Sequence, residues 1–317
     1  MRHQRSSATR TPRGATAIGA TAVPTIEGSL LVAADAGEAM CGPLRLAELL
    51  ARRDRVGVHV VGVVRPVGLP VWLSIDVNAD ALEEGRRQRH LEELRRRVTQ
   101  TVGLAGLFDV EVVSGSPAPT LAAAARAHGA AFVLVGIEGQ GTRGRSKSED
   151  DVLQVTRTAH VPVVAAPREC GRLPSHALVA MDFSESSRRA ARAALTLLAP
   201  DATLTLVHVE PVADLRALGR EGWAEIYERG VARLFESLEE ELGGAGVRVE
   251  SVVLEGDPVS ALLEYAAKHG CDLIASGTQG VAAHGPCLTG SVSTALLRGS
   301  PVAMLVAPPT APDVHAE

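Results

Sequence analysis

The chain alternates between short unbroken apolar runs and longer stretches in which apolar residues recur every three or four positions. Leu30–Asp35 and Leu178–Asp182 are of the first kind. Too short for a helix and apolar on both faces, they predict buried strands of a parallel sheet. A helical pattern follows, clearest over Ser186–Leu198, and then second strands at Val56–Val64 and Thr203–Val209. In 79–102, Leu91, Leu94, Val98 and Val102 form one stripe with Arg and Glu between them, which predicts an amphipathic helix. The stretch 223–242 predicts its counterpart. Third strands at Val110–Val113 and Val249–Leu254 enter Gly-x-Pro turns, where Pro suits the first turn of the next helix. His128-Gly129 and His269-Gly270 close those helices, with Gly as the C-cap and His at the negative end of the dipole. A fourth strand (Ala131–Gly136; Asp272–Gly277), a Gly-rich loop, a helix and a fifth strand (Val161–Pro167; Pro301–Ala307) complete each set.

The two sets are copies of one another. Gly115–Gly139 aligns without a gap on Gly256–Gly280 at an offset of 141, with 8 of 25 positions identical. Leu30–Asp35 matches Ala177–Asp182 at 147, and Val161–Val164 matches Ser300–Ala303 at 139. Drifts this small mark loop insertions, so a domain has been duplicated. Alternating strands and helices imply right-handed crossovers and parallel sheets covered on both faces. The expected architecture is α/β, with two tandem doubly wound, Rossmann-like domains of five strands each. A flexible tail over 1–27, domains at 28–168 and 176–309, a linker at 169–175 and a tail at 310–317 describe the organisation.

Composition narrows the function classes. The 317 residues are 46% apolar and 22% charged, the balance of a soluble globular chain. Aromatics at 3% leave little for base stacking, and 32 basic against 37 acidic residues give a net charge of -5. Both argue against a nucleic-acid partner. The runs Arg86-Arg87 and Arg95-Arg96-Arg97 are interleaved with Glu and read as solvated helix faces. Cys41, Cys170, Cys271 and Cys287 are widely spaced, which suits small buried residues in a reducing compartment better than a disulfide or zinc framework. No apolar run approaches the ~18 residues of a membrane span, and the polar start lacks a secretory apolar core. The expected location is cytoplasmic.

Ligands of open parallel sheets bind beyond the carboxyl ends of the strands. In the second copy that edge carries Gly277-x2-Gly280-x9-Gly290-Ser291. Glycines let the backbone approach a phosphate, and Gly290-Ser291 opens a helix whose free N–H groups suit an anion. Ser291 and Ser293 add hydroxyl donors. Asp182 ends the first strand and suits a sugar, a backbone N–H, a water or a metal. His208 reads as a half-buried strand residue and His284 as a solvated loop residue. No nucleophile elbow or zincin motif is present, so neither a catalytic set nor a metal-ligand set is assigned.

The loop, together with Asp182-Phe183-Ser184 and Val207-His208-Val209, resembles the ATP-binding universal stress proteins (UspA-like), over about residues 28–309 as two tandem copies. That resemblance implies an adenine nucleotide alpha-hydrolase-like fold. It also implies ATP held with a divalent cation such as Mg or Mn, and a role in stress response and signalling through an unidentified protein partner. Asp182 would contact the nucleoside and Val209 would wall the adenine. Gly277 and Gly280 would lie against ribose and phosphates, and Gly290, Ser291 and Val292 would hold the phosphates. The family pairs its last strand across a two-fold axis, so the tandem chain resembles a covalent, pseudo-two-fold version of that dimer, able to pair again as a homodimer.

The first copy departs from this pattern. It keeps Gly136 and Gly139, but either Glu149 and Asp150 (counting on from Gly136) or Asp151 and Val152 (counting back from Pro162) stand where Gly290 and Ser291 fall, and Glu138 adds another carboxylate. Like charges there repel a phosphate, whereas Arg143, Arg145 and Lys147 would attract one. Asp35 is followed by Ala36-Gly37 instead of Phe-Ser. The first copy is expected to act as a scaffold. Three functions fit the whole: a nucleotide-binding regulator, a nucleotide-free interaction module, or an enzyme, a slow ATPase or a self-phosphorylating protein using Ser291 or Ser293.

Overall fold

A computed structural model describes residues 22–34, 37–66, 79–103, 107–137, 147–210, 223–244, 246–278 and 291–309. From Thr25 onward the described chain forms two compact units, divided between Leu173 and Pro174. In the first, strand β1 (Ser29–Ala34) leads through a 3-10 turn (Glu38–Met40) into helix α1 (Cys41–Asp54). Then follow β2 (Val58–Val64), α2 (Ala79–Val102), β3 (Phe108–Ser114) and α3 (Pro117–Ala127). The unit closes with β4 (Ala130–Ile137), α4 (Lys147–Thr158) and β5 (Val163–Pro167). Its strands lie in the order β3-β2-β1-β4-β5, all parallel.

The second unit repeats this topology. It runs β6 (His176–Ala180), α5 (Glu185–Leu197), β7 (Thr203–Glu210), α6 (Trp223–Leu242) and β8 (Arg248–Glu255). After these come α7 (Pro258–His269), β9 (Leu273–Gly277), α8 (Ser291–Gly299) and β10 (Ala303–Ala307). The order is β10-β9-β6-β7-β8, again parallel.

The unbroken apolar runs occupy the sheet centres, as expected. Leu30, Leu31 and Val32 of β1 and Ala177, Leu178 and Val179 of β6 have no exposed surface, because helices cover both faces. On α2, Leu94, Val98 and Val102 are buried and Leu91 is half-buried. Arginines of the same helix pair along it, Arg87 with Glu84 at 2.8 Å and Arg96 with Glu93 at 2.5 Å. His128 caps α3, and Gly129 and Gly270 take the left-handed conformation that ends α3 and α7.

Two expectations are corrected. Ile26, which the sequence reading placed in the tail through Glu27, is buried, and its N–H donates to Asp54 Oδ2 at 3.0 Å. The cysteines are not uniformly buried. Cys271 is, and burial pushes its thiol up to about 11, but Cys41 and Cys170 are half-exposed. Cys287 lies outside the described residues. Among the described residues, no helix is long and apolar enough to cross a membrane.

Candidate functional site

In the second unit, β6 and β9 lie side by side, and α5 and α8 begin at their carboxyl ends. Asp182 follows β6 directly. Its Oδ1 accepts from the Ser184 N–H at 3.1 Å and the Ser184 hydroxyl at 2.6 Å. Ser184 in turn caps α5 by accepting from the Ser187 N–H at 3.3 Å. Between them Phe183 has a φ of +64°, a left-handed conformation that is costly for an aromatic residue. Its ring is held edge-on to Phe235, with centroids 5.1 Å apart, and against His208 at the same distance.

Val209 stands level with Asp182 on the neighbouring strand, since Ala180 pairs with Val207 two residues earlier. Gly277 ends β9 against the first turn of α5. A Cβ there would come within 2.7 Å of the Ser186 carbonyl carbon and 2.8 Å of its Cβ, so close packing of the strand end on the helix requires Gly. The sequence reading weighed Gly277 as a ligand contact or a turn residue and did not foresee this helix contact. One residue earlier, the Ser276 hydroxyl is buried and makes no hydrogen bond among the described residues. Strand alternation turns it to the face opposite α5.

Ser291 is exposed in the first turn of α8, where the backbone N–H groups have no acceptor within the helix. Val292 is half-buried and Ser293 is buried. Gly280, Gly290 and His284 lie outside the described residues. So do Asp35, Glu138, Arg143 and Arg145 of the first copy. Asp182, Val209, Gly277 and the α8 N-terminus thus share one carboxyl edge.

His208 takes part in a contact that the sequence did not reveal. One ring nitrogen, Nδ1, donates to the Met181 carbonyl at 2.7 Å, which fixes the neutral tautomer, and Nε2 accepts from the Tyr227 hydroxyl at 2.7 Å. Two residues on different elements, β7 and α6, thereby tie the helix to the chain just before Asp182. Burial pushes the imidazole below its ordinary value, against the opposing pull of the Met181 carbonyl and Asp182. The unfolded chain therefore takes up a proton more readily than the folded one. This contribution is fully present above the unfolded pKa of about 6.5 and is lost as pH falls beneath it, by at most about 1.4 kcal/mol per pH unit. His208→Asn keeps a donor toward Met181 and should flatten that part of the pH–stability curve in urea titrations. An unchanged slope would assign the effect to another group.

A family model described as the universal stress protein family matches residues 175–308. The universal stress protein in the QAH/OAS sulfhydrylase 3' region of Thermus aquaticus is 34% identical over 132 residues, covering 41% of this chain and 95% of that protein. This chain belongs to the universal stress protein family. Among solved structures, a universal stress protein from Archaeoglobus fulgidus superposes with a TM-score of 0.63 at 20% identity, over 88% of this chain and 98% of that one. A Pseudomonas aeruginosa protein superposes at 0.54 and 18% identity, over 89% and 92%. Both carry the same α/β fold. The family match coincides with the second unit.

Proposed function

We propose that this universal stress protein is a stress-response regulator that binds ATP with a divalent cation in its second domain. The observation that carries the proposal is the convergence of Asp182, Val209, Gly277 and the α8 N-terminus on one edge of the sheet. Asp182, held by Ser184 and backed by a capped helix, is placed to accept from a ribose hydroxyl. Val209 offers an apolar wall for the base. The buried Ser276 hydroxyl, which makes no hydrogen bond among the described residues, is a donor in reserve beside Gly277. The N–H groups of α8, with Ser291 and Val292, would hold the phosphates together with Gly280 and Gly290. Ser293 is buried, which favours a role in positioning the helix over accepting a phosphoryl group. The cation would offset phosphate charge, and the regulatory output would come from a surface that nucleotide occupancy alters.

Ser291→Asp separates binding from folding. An acid in the first turn favours the helix by about 0.3–1 kcal/mol, yet it places a negative charge where the phosphates would rest. Stability should hold or rise slightly, while ATP affinity measured by calorimetry with magnesium falls tenfold or more, equivalent to about 1.4 kcal/mol. Wild-type affinity in a folded Ser291→Asp protein would overturn the proposal. Independently, nucleotide released on denaturing fresh protein and quantified by chromatography should approach one per chain. Two per chain would mean that the first domain binds nucleotide as well.

A further inference from the structure

Helix α6 buries Val231, Phe235, Leu238 and Leu242 in the core of the second domain. Its outward face is apolar too over two turns. Ile226 is 55% exposed and Leu234 38% exposed. Each stands four residues from Gly230, so the three form one stripe on adjacent turns. Gly230 is exposed, and a Cβ added there would meet nothing within 4 Å. Glycine inside a helix costs stability relative to alanine, and no described neighbour requires it here. It leaves a notch between two apolar side chains into which another backbone can come close.

Charge decides what fits this face. In the first half of α6, Glu225 and Glu228 are matched in number by Arg229 and Arg233. Beyond Leu234 come Glu236, Glu239, Glu240 and Glu241, with no Lys or Arg. Glu236 and Glu240 are exposed, and Glu241 pairs with Arg192 at 2.6 Å. Carboxylates in the last turns of a helix lie at the negative end of its dipole, where they work against the helix itself. The stripe runs on through Ser237 and Glu241 at helical spacing. Two copies of such a face would set like charge against like, whereas a helix with Lys or Arg beside its apolar stripe is attracted.

The inner side of the same helix touches the turn that carries Asp182. Phe235 lies edge-on to Phe183, and the Tyr227 hydroxyl bonds His208, which holds the Met181 carbonyl. These two inner residues are the chain neighbours of Leu234 and Ile226. A shift of the 182–184 turn therefore reaches α6 at both ends of the outer stripe. We infer that the outer face of α6 docks a cationic amphipathic helix of a partner protein and that nucleotide occupancy is read there. The partner's apolar side chains would lie on Ile226 and Leu234 across Gly230, and its basic ones toward Glu236 and Glu240. The link to nucleotide rests on the binding proposed for the second domain; docking itself does not.

Fluorescence anisotropy on the full chain tests this with a labelled Leu/Lys peptide whose leucines recur at helical spacing. A peptide of the same composition in strict alternation is the control. The helical peptide should bind saturably, more weakly as salt rises, and the control should not bind. Ile226→Ser and Leu234→Ser, both at exposed positions, should each weaken it about fivefold or more. Glu236→Gln combined with Glu240→Gln should weaken it and flatten the salt dependence. Gly230→Ala separates docking from folding. It should raise the urea midpoint, because alanine is the better helix former, yet weaken the peptide about fivefold or more by filling the notch. ATP with magnesium should change peptide affinity about fivefold or more, the peptide should change ATP affinity by the same factor, and Tyr227→Phe should shrink that factor. Docking is overturned by no saturable binding, by equal binding of the control, or by full affinity in the Gly230, Ile226 and Leu234 variants. Self-association of the chain that Leu234→Ser removes would assign the face to a second copy and overturn it as well. If ATP does not bind, the nucleotide reading fails while the peptide results still decide docking. If ATP binds and peptide affinity is unchanged, the link between the two is overturned.

Discussion

Gly42→Ala should destabilise the protein by about 3 kcal/mol, although Ala is ordinarily the better helix former by about 1 kcal/mol. Gly42 is buried near the start of α1, and the end of β5 crosses directly over it. A Cβ at this position would be built onto the Pro167 carbonyl oxygen, 2.8 Å from its carbon and 3.3 Å from the Arg168 Cα. All three are backbone atoms, so no side chain can turn aside. Relief requires α1 to move off the sheet, which opens the contacts of Leu44, Leu46 and Leu50, each fully buried. Urea denaturation of the full chain is the measurement. A midpoint equal to or above wild type would show that α1 has room at this crossing.

The second large effect concerns the equivalent strand-end glycines. Gly136→Ala and Gly277→Ala should each cost about 1–3 kcal/mol by overpacking a helix start. In the first, the added methyl meets the backbone of Ala39 and Met40; in the second, it meets Ser186. Their functional outcomes should diverge. Ser186 belongs to the turn that Ser184 caps and that Asp182 holds, so displacing it disturbs the proposed nucleotide contacts. The Gly277 variant should therefore lose nucleotide tenfold or more, equivalent to about 1.4 kcal/mol, while the Gly136 variant keeps it at one per chain. Equal loss in both variants would mean that nucleotide retention follows general stability.

The repeated architecture was legible because each strand and helix is a local pattern. The run Leu30–Asp35 is apolar on both faces, and the stripe from Leu94 to Val102 recurs at helical spacing. Strand ends were placed less well. The fifth strand, expected from Val161, begins at Val163, and the third, expected at Val110, begins at Phe108. Residues at strand ends are set by pairing with a neighbour, here Val133 with Val163 and Val58 with Phe108, and a single strand's sequence does not contain its partner.

The same limit governs the site. Asp182, Val209 and Gly277 stood out by position and motif, yet what surrounds them is nonlocal. The Tyr227–His208 bond joins residues 19 apart through two elements. Gly62 is glycine because His90 and Leu94 of α2 lie over it, with the His90 ring 3.1 Å from where a Cβ would sit. His128, read correctly as a helix-end residue, also stacks on His59 at 3.9 Å and pairs with Glu111 at 3.0 Å.

Each sheet is built from one continuous stretch of chain. β1 lies at the centre of the first, and both of its neighbours, β2 and β4, are complete by Ile137. All five strands of the first domain are encoded by Pro167. On a ribosome adding about 5–20 residues per second, the first domain can finish its core while the second is still being made. The order of synthesis then keeps two sets of strand edges with the same topology from being exposed together. A fused pair of similar sheets can thus be produced with little opportunity for strands of one copy to enter the other.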